Sequence, residues 1–321
     1  MLIAAPNLCL DITIRLTRLV PGTVTRAGST DTSAGSKGVN VARAAKLIGA
    51  QPLIVGFLPA DNGNRLTYLL NNEGLALQPI SVDGELRLAT ILLEDDGRVT
   101  MVNGRGAFVS TQRWQQYTEL LAQAAPDHDV LVCSGSLAPG LASDAYRRLV
   151  EIGHLAGLPV VVDAAPDVLR DALPAAPDLV SPNLSEAEGL LSGRLGEEVD
   201  EQGDDIPDRA VDAAVALHVR GAVRAVVTAG AHGAALATAS GSWWLPALSV
   251  DVVNPIGAGD CFAAGAAHAL VAGADDVDIV RYGMSVAAAA CETPTAGRFS
   301  PARAAALYEL STAQRIPAAA R

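Results

Sequence analysis

The chain has 321 residues, of which 50% are hydrophobic and 18% charged, and this composition excludes a disordered protein. Its net charge of −12 excludes a general binder of nucleic acid or of anionic membranes, because no basic excess could neutralise phosphates along a polymer. No apolar stretch reaches membrane-spanning length, and the four cysteines form no C-x-x-C pair, so we expect free thiols in the cytoplasm. A small anionic ligand needs only a few cations, and the first third of the chain supplies Arg26, Lys37, Arg43, Arg87 and Arg105.

Short apolar runs alternate with helix-like segments along most of the chain, which predicts an α/β fold with a mostly parallel sheet between helices. The expected strands of this sheet cover residues 2–5, 52–56, 130–133, 159–162, 179–181 and 225–227. The expected helices cover residues 41–48, 61–72, 111–125, 143–155, 210–219, 262–274, 285–291 and 301–310. In the second of these helices Asp61 is expected to be the N-cap. A β-hairpin is expected at residues 234–245.

Two segments interrupt this alternation of strands and helices. Residues 12–33 are rich in Thr, Val and Gly with partial alternation, and residues 86–94 and 99–103 flank a turn sequence. We predict that segments 12–33 and 86–106 form a small β lid inserted in one domain that covers residues 1–321. The hairpin formed by residues 86–103 is also a candidate surface for association.

A glycine-rich helix start at residues 254–265, N-P-I-G-A-G-D-C-F-A-A-G, is the main candidate site. The amides of Gly257, Ala258 and Gly259 are expected at the positive end of the helix dipole, where they would stabilise an anion. Asp260 falls in the first helical turn. It is either a helix-start residue or a general base that takes a proton from an acceptor hydroxyl.

Other loops follow the expected strands, at the sheet edge where ligands bind in open α/β folds. They read S-G-S-L-A-P-G at 134–140, N-L-S-E at 183–186 and T-A-G-A-H-G at 228–233, and A-G-S-K-G-V-N at 34–40 opens an early helix. Ser185 and Glu188 have the spacing of a capping box, which would explain Glu188 but leaves Glu186 unexplained. The acidic residues 192–208 are interpreted as a solvated loop.

Taken together, these motifs resemble the ribokinase-like (PfkB) carbohydrate kinases, in particular the phosphofructokinase B branch that includes 1-phosphofructokinase and tagatose-6-phosphate kinase. The resemblance covers nearly the whole chain and implies a ribokinase-like three-layer fold with a β lid. Three places depart from the pattern, and one of them is D-A-A-P at 163–166, where the family commonly has D-T/P-S/A-G. Ser36 replaces a glycine of the early motif, and N-G-R-G-A at 103–107 stands where the branch usually has N-E-P-G-P.

The resemblance implies a catalytic centre in which Asp260 is the base and Gly257, Ala258 and Gly259 form the anion hole. Nucleotide binding is implied for Asn183, Glu186, Thr228, Gly230 and Gly233. Among these, Glu186 would organise Mg²⁺, directly or through water, beside the phosphates of ATP.

The sugar phosphate is implied to lie on the lid side of the site. Its hydroxyls would contact Asp11, Gly35 and Asn40, and its phosphate would contact Arg26, Lys37, Arg87 and Ser136. Each of these residues also has an ordinary structural interpretation. Lys37 and Arg26 could be surface charges, and Asn40 could cap its helix.

The implied reaction is transfer of the γ-phosphoryl group of ATP to a ketohexose phosphate, first of all fructose 1-phosphate, giving fructose 1,6-bisphosphate. The alternatives are a kinase for fructose 6-phosphate or tagatose 6-phosphate, a free-sugar kinase, and a catalytically silent regulator that binds nucleotide or sugar phosphate. A homodimer through the β lid is expected from the family.

Overall fold

The computed structural model describes residues 1–194 and 203–317. Its helices are α1 (Lys37–Leu47), α2 (Gly63–Glu73), α3 (Thr111–Ala124), α4 (Ala145–Leu155), α5 (Pro166–Ala172), α6 (Leu184–Ser192), α7 (Ile206–Val219), α8 (Ala258–Val271), α9 (Asp276–Cys291) and α10 (Pro301–Leu310). Its strands are β1 (Leu2–Ala4), β2 (Cys9–Leu16), β3 (Ser29–Gly35), β4 (Leu53–Asp61), β5 (Ala76–Glu85), β6 (Arg87–Glu94), β7 (Val99–Asn103), β8 (Leu131–Ser134), β9 (Val160–Asp163), β10 (Leu179–Val180), β11 (Ala225–Thr228), β12 (Gly233–Thr238), β13 (Gly241–Pro246) and β14 (Gln314–Ile316).

Ten of the strands in the described residues form one large sheet, in the order β14-β13-β12-β11-β10-β9-β8-β1-β4-β5. The strands from β11 to β5 are parallel, whereas β12, β13 and β14 add an antiparallel edge. The carboxyl ends of β8, β9, β10 and β11 therefore lie side by side. Ligands bind at this edge of open α/β sheets, so the arrangement already indicates where a site would form.

Apolar side chains cover both faces of the large sheet. Leu2 and Ala4 of β1 pack into one core with α3, α4, α5, α6 and α7, while Ile3 packs into a second core with α1, α2, α8, α9 and α10. Successive side chains of a strand point to opposite faces, so a short run of consecutive apolar residues serves both cores. The predicted three-layer α/β architecture is confirmed.

Strands β2, β3, β6 and β7 form a separate sheet in the order β3-β2-β6-β7. Strands β2 and β6 are parallel, from Cys9 beside Arg87 to Leu16 beside Glu94. Strand β3 runs antiparallel to β2 and brings Gly35 beside Cys9. The two interrupting segments of the sequence thus pair with each other, although β2 begins earlier than the expected residue 12. We call this four-stranded sheet the lid.

Several local expectations were wrong. Asp61 is the last residue of β4 and not a helix cap, because Asn62 takes the N-cap position of α2 with a left-handed backbone, φ 62°. Strand β5, helix α5 and strand β14 were not expected from the sequence. Within the interval 192–208, residues 195–202 lie outside the described residues, and Ile206 already begins α7.

Candidate active site

The start of α8 presents backbone amides at the carboxyl edge of the large sheet. Gly257 is the N-cap with φ 82°, and Cys261 donates the first intrahelical hydrogen bond to the Gly257 carbonyl over 3.0 Å. The Ala258 amide is used in a turn, where it donates to the Pro255 carbonyl at 3.2 Å. The amides of Gly259 and Asp260 precede the intrahelical ladder. They therefore carry the positive end of the helix dipole, where a negative charge would be stabilised.

The space beside Gly259 is open, because a side chain added there would meet no atom within 4 Å among the described residues. Asp260 follows directly and is 5% exposed. Its Oδ2 atom accepts a hydrogen bond of 2.8 Å from Asn40 Nδ2. Burial raises the pKa of Asp260 well above the ordinary aspartate range, although Lys37 and the Asn40 hydrogen bond act in the opposite direction. Such a carboxyl group is suited to accept a proton near neutral pH.

Lys37 is the first residue of α1, and its Nζ atom lies 3.1 Å from Asp163 Oδ1 at the end of β9. Burial lowers the pKa of Lys37, but the carboxylates of Asp163, Glu186 and Asp260 outweigh burial and raise the pKa overall. Lys37 therefore remains a cation between three acidic groups. It lies beside the candidate base, which fits contact with a transferring phosphoryl group as well as with a sugar phosphate.

Three buried polar atoms at neighbouring strand ends have no hydrogen-bond partner within the described part of the chain. They are Ser134 Oγ at the end of β8, Asp163 Oδ2 at the end of β9 and Ser181 Oγ directly after β10. Buried polar groups without partners are rare and indicate a missing water, ion or ligand. Sequence reasoning expected no catalytic or binding role for Asp163. Its place after a buried run of valines was the available signal.

Asp11 in β2 lies directly against the α-carbon of Gly35 at the end of β3. A Cβ atom at position 35 would overlap the Asp11 carboxyl group, so glycine is required there by close approach rather than by a turn. Burial raises the pKa of Asp11, while Cys9, Arg43 and Arg87 lower it in part. Strand pairing thus brings Asp11 and Gly35 together as the sequence predicted.

Arg87 and Ser136 meet through Asn7, a residue that sequence reasoning missed. Arg87 Nε donates to the Asn7 carbonyl at 3.2 Å, and Asn7 Nδ2 lies 3.0 Å from Ser136 Oγ. The same amide group lies 3.2 Å from the backbone carbonyl of Arg105. The segment at 103–107, which differs from the usual sequence of the branch, is therefore held beside Asn7 and Ser136. The Arg105 side chain is exposed.

Within one chain, Arg26 lies far from the other predicted site residues. It lies in an exposed segment between β2 and β3, beyond the Arg15–Ser29 pair, whereas Gly35 pairs with Cys9 at the opposite end of the same ladder. Six residue steps along a strand span roughly 20 Å. Arg26 is therefore separated from Gly35 by about the length of the lid.

The start of α6 corrects the expected capping residues. Asn183 is the N-cap, its side chain accepts from the Glu186 amide at 2.8 Å, and Glu186 Oε2 accepts from the Asn183 amide at 3.0 Å. This is the capping box, so the assignment of that role to Ser185 and Glu188 was wrong. Glu188 instead forms a two-point ion pair with Arg209. Burial raises the pKa of Glu186 overall, although Lys37 partly offsets this effect.

Thr228 lies beside Asn183 through a parallel bridge at the next strand end. The turn that follows contains Gly230 with φ 48°, and Gly233 begins β12 with φ 138°. A side chain at Gly233 would overlap the Leu245 carbonyl of the neighbouring strand. The hairpin therefore requires glycine at 233 for structural reasons, and the pairing of Thr228 with Asn183 forms the edge on which a nucleotide could lie.

Ser36, the residue that replaces a glycine, caps α1 in a strained conformation. Its backbone has φ 118° and ψ 155°, a region almost confined to glycine, and its side chain accepts from the Val39 amide at 3.3 Å. Strain of this kind costs about 1–3 kcal/mol. Because Ser36 supplies the cap, Asn40 is free for its contact with Asp260.

We expect Ser36→Gly to relieve this strain and to be more stable than Ser36→Ala by about 1 kcal/mol or more. Glycine is also preferred over alanine at an N-cap, and the positive φ of Ser36 adds to this preference. Thermal unfolding of both variants beside the natural protein checks the order. An alanine variant as stable as the glycine variant would show that position 36 is not strained.

The arrangement has the parts that phosphoryl transfer needs. A buried carboxylate can take a proton from an alcohol, while free helix amides and a lysine can stabilise the charge on the transferring group. These groups lie at the carboxyl edge of a parallel sheet, opposite a small lid. The fold and the site together define a phosphotransferase with an alcohol acceptor.

The profile of the pfkB family carbohydrate kinases matches residues 4–303, and the chain belongs to this family. The 1-phosphofructokinase of Escherichia coli K12 is 31% identical over 86% of this chain and 86% of that protein. The 1-phosphofructokinase of Haloferax volcanii is 33% identical over 89% of each. The predicted family is thereby confirmed.

Solved structures confirm the ribokinase-like fold. The structure of Escherichia coli phosphofructokinase-2 in complex with potassium is similar with a TM-score of 0.86 and 22% identity, over 97% of this chain and 98% of that chain. An Arabidopsis thaliana ribokinase complexed with ribose and ATP is similar with a TM-score of 0.74 and 21% identity, over 96% of this chain and 98% of that chain. At these identities the similarity concerns the fold alone.

Proposed function

We propose that this protein is an ATP-dependent kinase that phosphorylates fructose 1-phosphate to fructose 1,6-bisphosphate. The observation that carries the proposal is the buried Asp260 carboxyl group, which Asn40 holds at the open N-terminus of α8. The choice of sugar phosphate is supported by the similarity to several 1-phosphofructokinases. It is also supported by Arg87 and Ser136, which lie together where a substrate phosphate would need a cation and a hydroxyl.

In the proposed reaction Asp260 takes the proton of the acceptor hydroxyl. The hydroxyl oxygen then forms a bond to the γ-phosphorus of ATP, and the bond between the γ-phosphorus and the leaving ADP oxygen breaks. The Gly259 and Asp260 amides and Lys37 would stabilise the charge on the transferring group. Asp11, Gly35 and Asn40 would orient the sugar hydroxyls. The main contribution of the protein is then positioning and electrostatics, as is usual for this reaction class.

We propose Asn183, Thr228 and the Gly230–Gly233 turn as the nucleotide edge, with Glu186 organising Mg²⁺ directly or through water. Mg²⁺ prefers oxygen ligands and usually takes only one or two carboxylates beside phosphates and water. Glu186 fits this pattern, and so does the partnerless Asp163 Oδ2. Within the described residues no three acidic, histidine or cysteine side chains converge on one metal position. Bound Mg²⁺ would neutralise charge on the ATP phosphates.

We propose a single catalytic domain that forms homodimers through its lid. This assembly is supported by exposed apolar side chains on the lid strands, namely Leu88, Val99, Met101 and Val102. Consecutive strand residues point to opposite faces, so Met101 and Val102 expose apolar surface on both faces of the lid, and such surface favours association. Sedimentation of the purified protein tests the proposal, and a monomer at micromolar concentration would contradict it.

We also propose a cytoplasmic location, supported by free thiols at all four cysteines. Separately, none of the helices in residues 1–194 and 203–317 is long and apolar enough to cross a membrane.

A coupled assay of ADP release tests the function. We expect fructose 1-phosphate to give the highest kcat/KM among fructose 1-phosphate, fructose 6-phosphate, tagatose 6-phosphate, fructose and ribose. A cation such as Arg87 would favour the phosphorylated sugars over the free ones, and the similarity to 1-phosphofructokinases favours fructose 1-phosphate among them. A preference for free fructose or ribose would identify a free-sugar kinase. Absence of turnover on every sugar despite tight ATP binding would identify the silent regulator instead.

A further inference from the structure

A buried chain of hydrogen bonds leads away from Asp260 through α1. Asn40 donates through Nδ2 to Asp260, and the Asn40 Oδ1 atom accepts from an Arg43 terminal nitrogen at 2.9 Å. The remaining Arg43 nitrogens donate to both carboxylate oxygens of Glu73 at 2.6 Å. Glu73 also accepts from Arg298 at 3.1 Å. Four side chains thus connect the candidate base to the end of α2 and to the loop before α10.

Arg43 is the central member of this chain. It is 6% exposed, and it also donates to the Ala34 carbonyl at 2.7 Å, one residue before Gly35. Burial alone would raise the pKa of Glu73, but Arg43 and Arg298 lower it overall, so Glu73 stays ionised. A two-point pair between a guanidinium and a carboxylate fixes both position and orientation. Arg43 therefore has a single well-defined geometry.

That geometry determines which end of the Asn40 amide faces Asp260. The amide has an oxygen that only accepts and a nitrogen that only donates. Because Arg43 can only donate, it holds the oxygen on its own side and directs the nitrogen to the carboxylate. If the amide turned over, its oxygen would face the carboxylate and repel it.

We propose that Arg43 and Glu73 are positioning residues for catalysis, which act through Asn40 to hold the Asp260 carboxylate in place. The inference rests on the proposed role of Asp260 as the base. Neither residue touches the reacting atoms. Their effect passes through polarisation of the Asn40 amide, which strengthens the hydrogen bond to the carboxylate.

Other charged groups also face Asp260. Lys37 from α1 favours the ionised carboxylate, whereas Asp163 from β9 and Asp11 from β2 disfavour it. None of these three is altered by a change at Glu73. Glu73→Gln also removes a negative charge and leaves Arg43 without its carboxylate partner, which by itself would lower the pKa of Asp260. An upward shift in the titration of Asp260 would therefore come from loss of the Asn40 contact.

The test uses Glu73→Gln and Arg43→Lys in the full chain, with fructose 1-phosphate and ATP as substrates. Both changes remove the two-point pair, so the Asn40 amide is no longer fixed. We expect kcat to fall about 10-fold with KM for ATP within about twofold, since a small displacement of a catalytic group is costly. We also expect the acidic limb of the kcat–pH profile to move to higher pH by about half a unit or more.

Asp276→Asn is the matched control, because it removes a half-buried arginine pair of 2.7 Å with Arg224 at the other end of the sheet. It should lower the melting temperature without moving kcat or the acidic limb. If Glu73→Gln and Arg43→Lys behave like this control, the pair is only structural and the proposal is overturned.

Failure of the proposed function is recognised separately, because the natural protein would then show no turnover. In that event the pKa of Asp260 is compared between the natural protein and Glu73→Gln by titration of its carboxyl ¹³C resonance, which needs no activity. The resonance is assigned by its loss in Asp260→Asn. A higher pKa of Asp260 in Glu73→Gln supports the positioning role. An unchanged pKa overturns it.

Discussion

Replacing Asp260 by asparagine is expected to lower kcat by about 10²-fold or more while the Kd values for ATP and for sugar phosphate change little. Asparagine keeps the size of the side chain and can still accept the hydrogen bond from Asn40, but it cannot take a proton. Steady-state kinetics and calorimetric titration of both ligands check the two parts. Near-normal turnover in this variant would remove Asp260 from the role of base.

The same substitution is expected to stabilise the protein at alkaline pH. The folded-state pKa of Asp260 is raised by burial, so the natural protein loses stability as the pH rises through that pKa. The asparagine variant avoids this loss. Each pKa unit corresponds to about 1.4 kcal/mol, so a gain of about 1 kcal/mol or more is expected at pH 8. The gain should disappear as the pH falls toward 4. A melting temperature below that of the natural protein at pH 8 would contradict the burial of an ionised carboxylate.

Gly35→Ala is expected to raise KM for the sugar phosphate by about 10-fold to 10²-fold while KM for ATP stays nearly constant. The added methyl group would occupy the position of the Asp11 carboxyl group and displace it from the site. Hydrogen bonds to a charged group contribute about 1.5–3 kcal/mol, which sets the size of the effect. Initial-rate kinetics with each substrate varied in turn provide the measurement.

Gly28→Ala is the matched control for this substitution, because a Cβ atom at position 28 would lie at an ordinary 3.5 Å from the Arg15 carbonyl. It adds the same methyl group to the same lid at a position that faces no site residue. Its kinetic constants should equal those of the natural protein. Equal KM values in both variants would show that Asp11 does not bind the sugar.

The central strands could be predicted from the sequence because each is a short apolar run. In β1, β8 and β9 every apolar residue packs into one of the two cores, so the run is buried on both faces and the pattern is clear. Strand β5 lies at the sheet edge and most of its side chains are exposed or half-exposed. It has no apolar periodicity to detect, and for this reason it was missed.

The start of α6 shows why motif spacing alone was insufficient. Asn183–Glu186 and Ser185–Glu188 both have the three-residue spacing of a capping box. Which pair caps the helix depends on where the strand before it ends, and a two-residue strand gives little warning. Packing against Arg209 then decides the conformation of Glu188.

The positions of Asn7, Arg43 and Arg26 depended on contacts that no local pattern encodes. Asn7 meets Ser136 across 129 residues, and Arg43 meets Glu73 across 30. The resemblance implied that Arg26 and Lys37 contact the same substrate phosphate. The register of β2 with β3 separates them instead.

The role of Asp260 as the base in γ-phosphoryl transfer is tested most directly by ³¹P NMR of the protein with ATP, Mg²⁺ and fructose 1-phosphate. We predict a new phosphomonoester resonance that grows in equal amount with ADP, and almost none with Asp260→Asn at the same occupancy of both ligands. ADP accompanied only by inorganic phosphate, or equal product from the natural protein and the variant, would contradict the assignment.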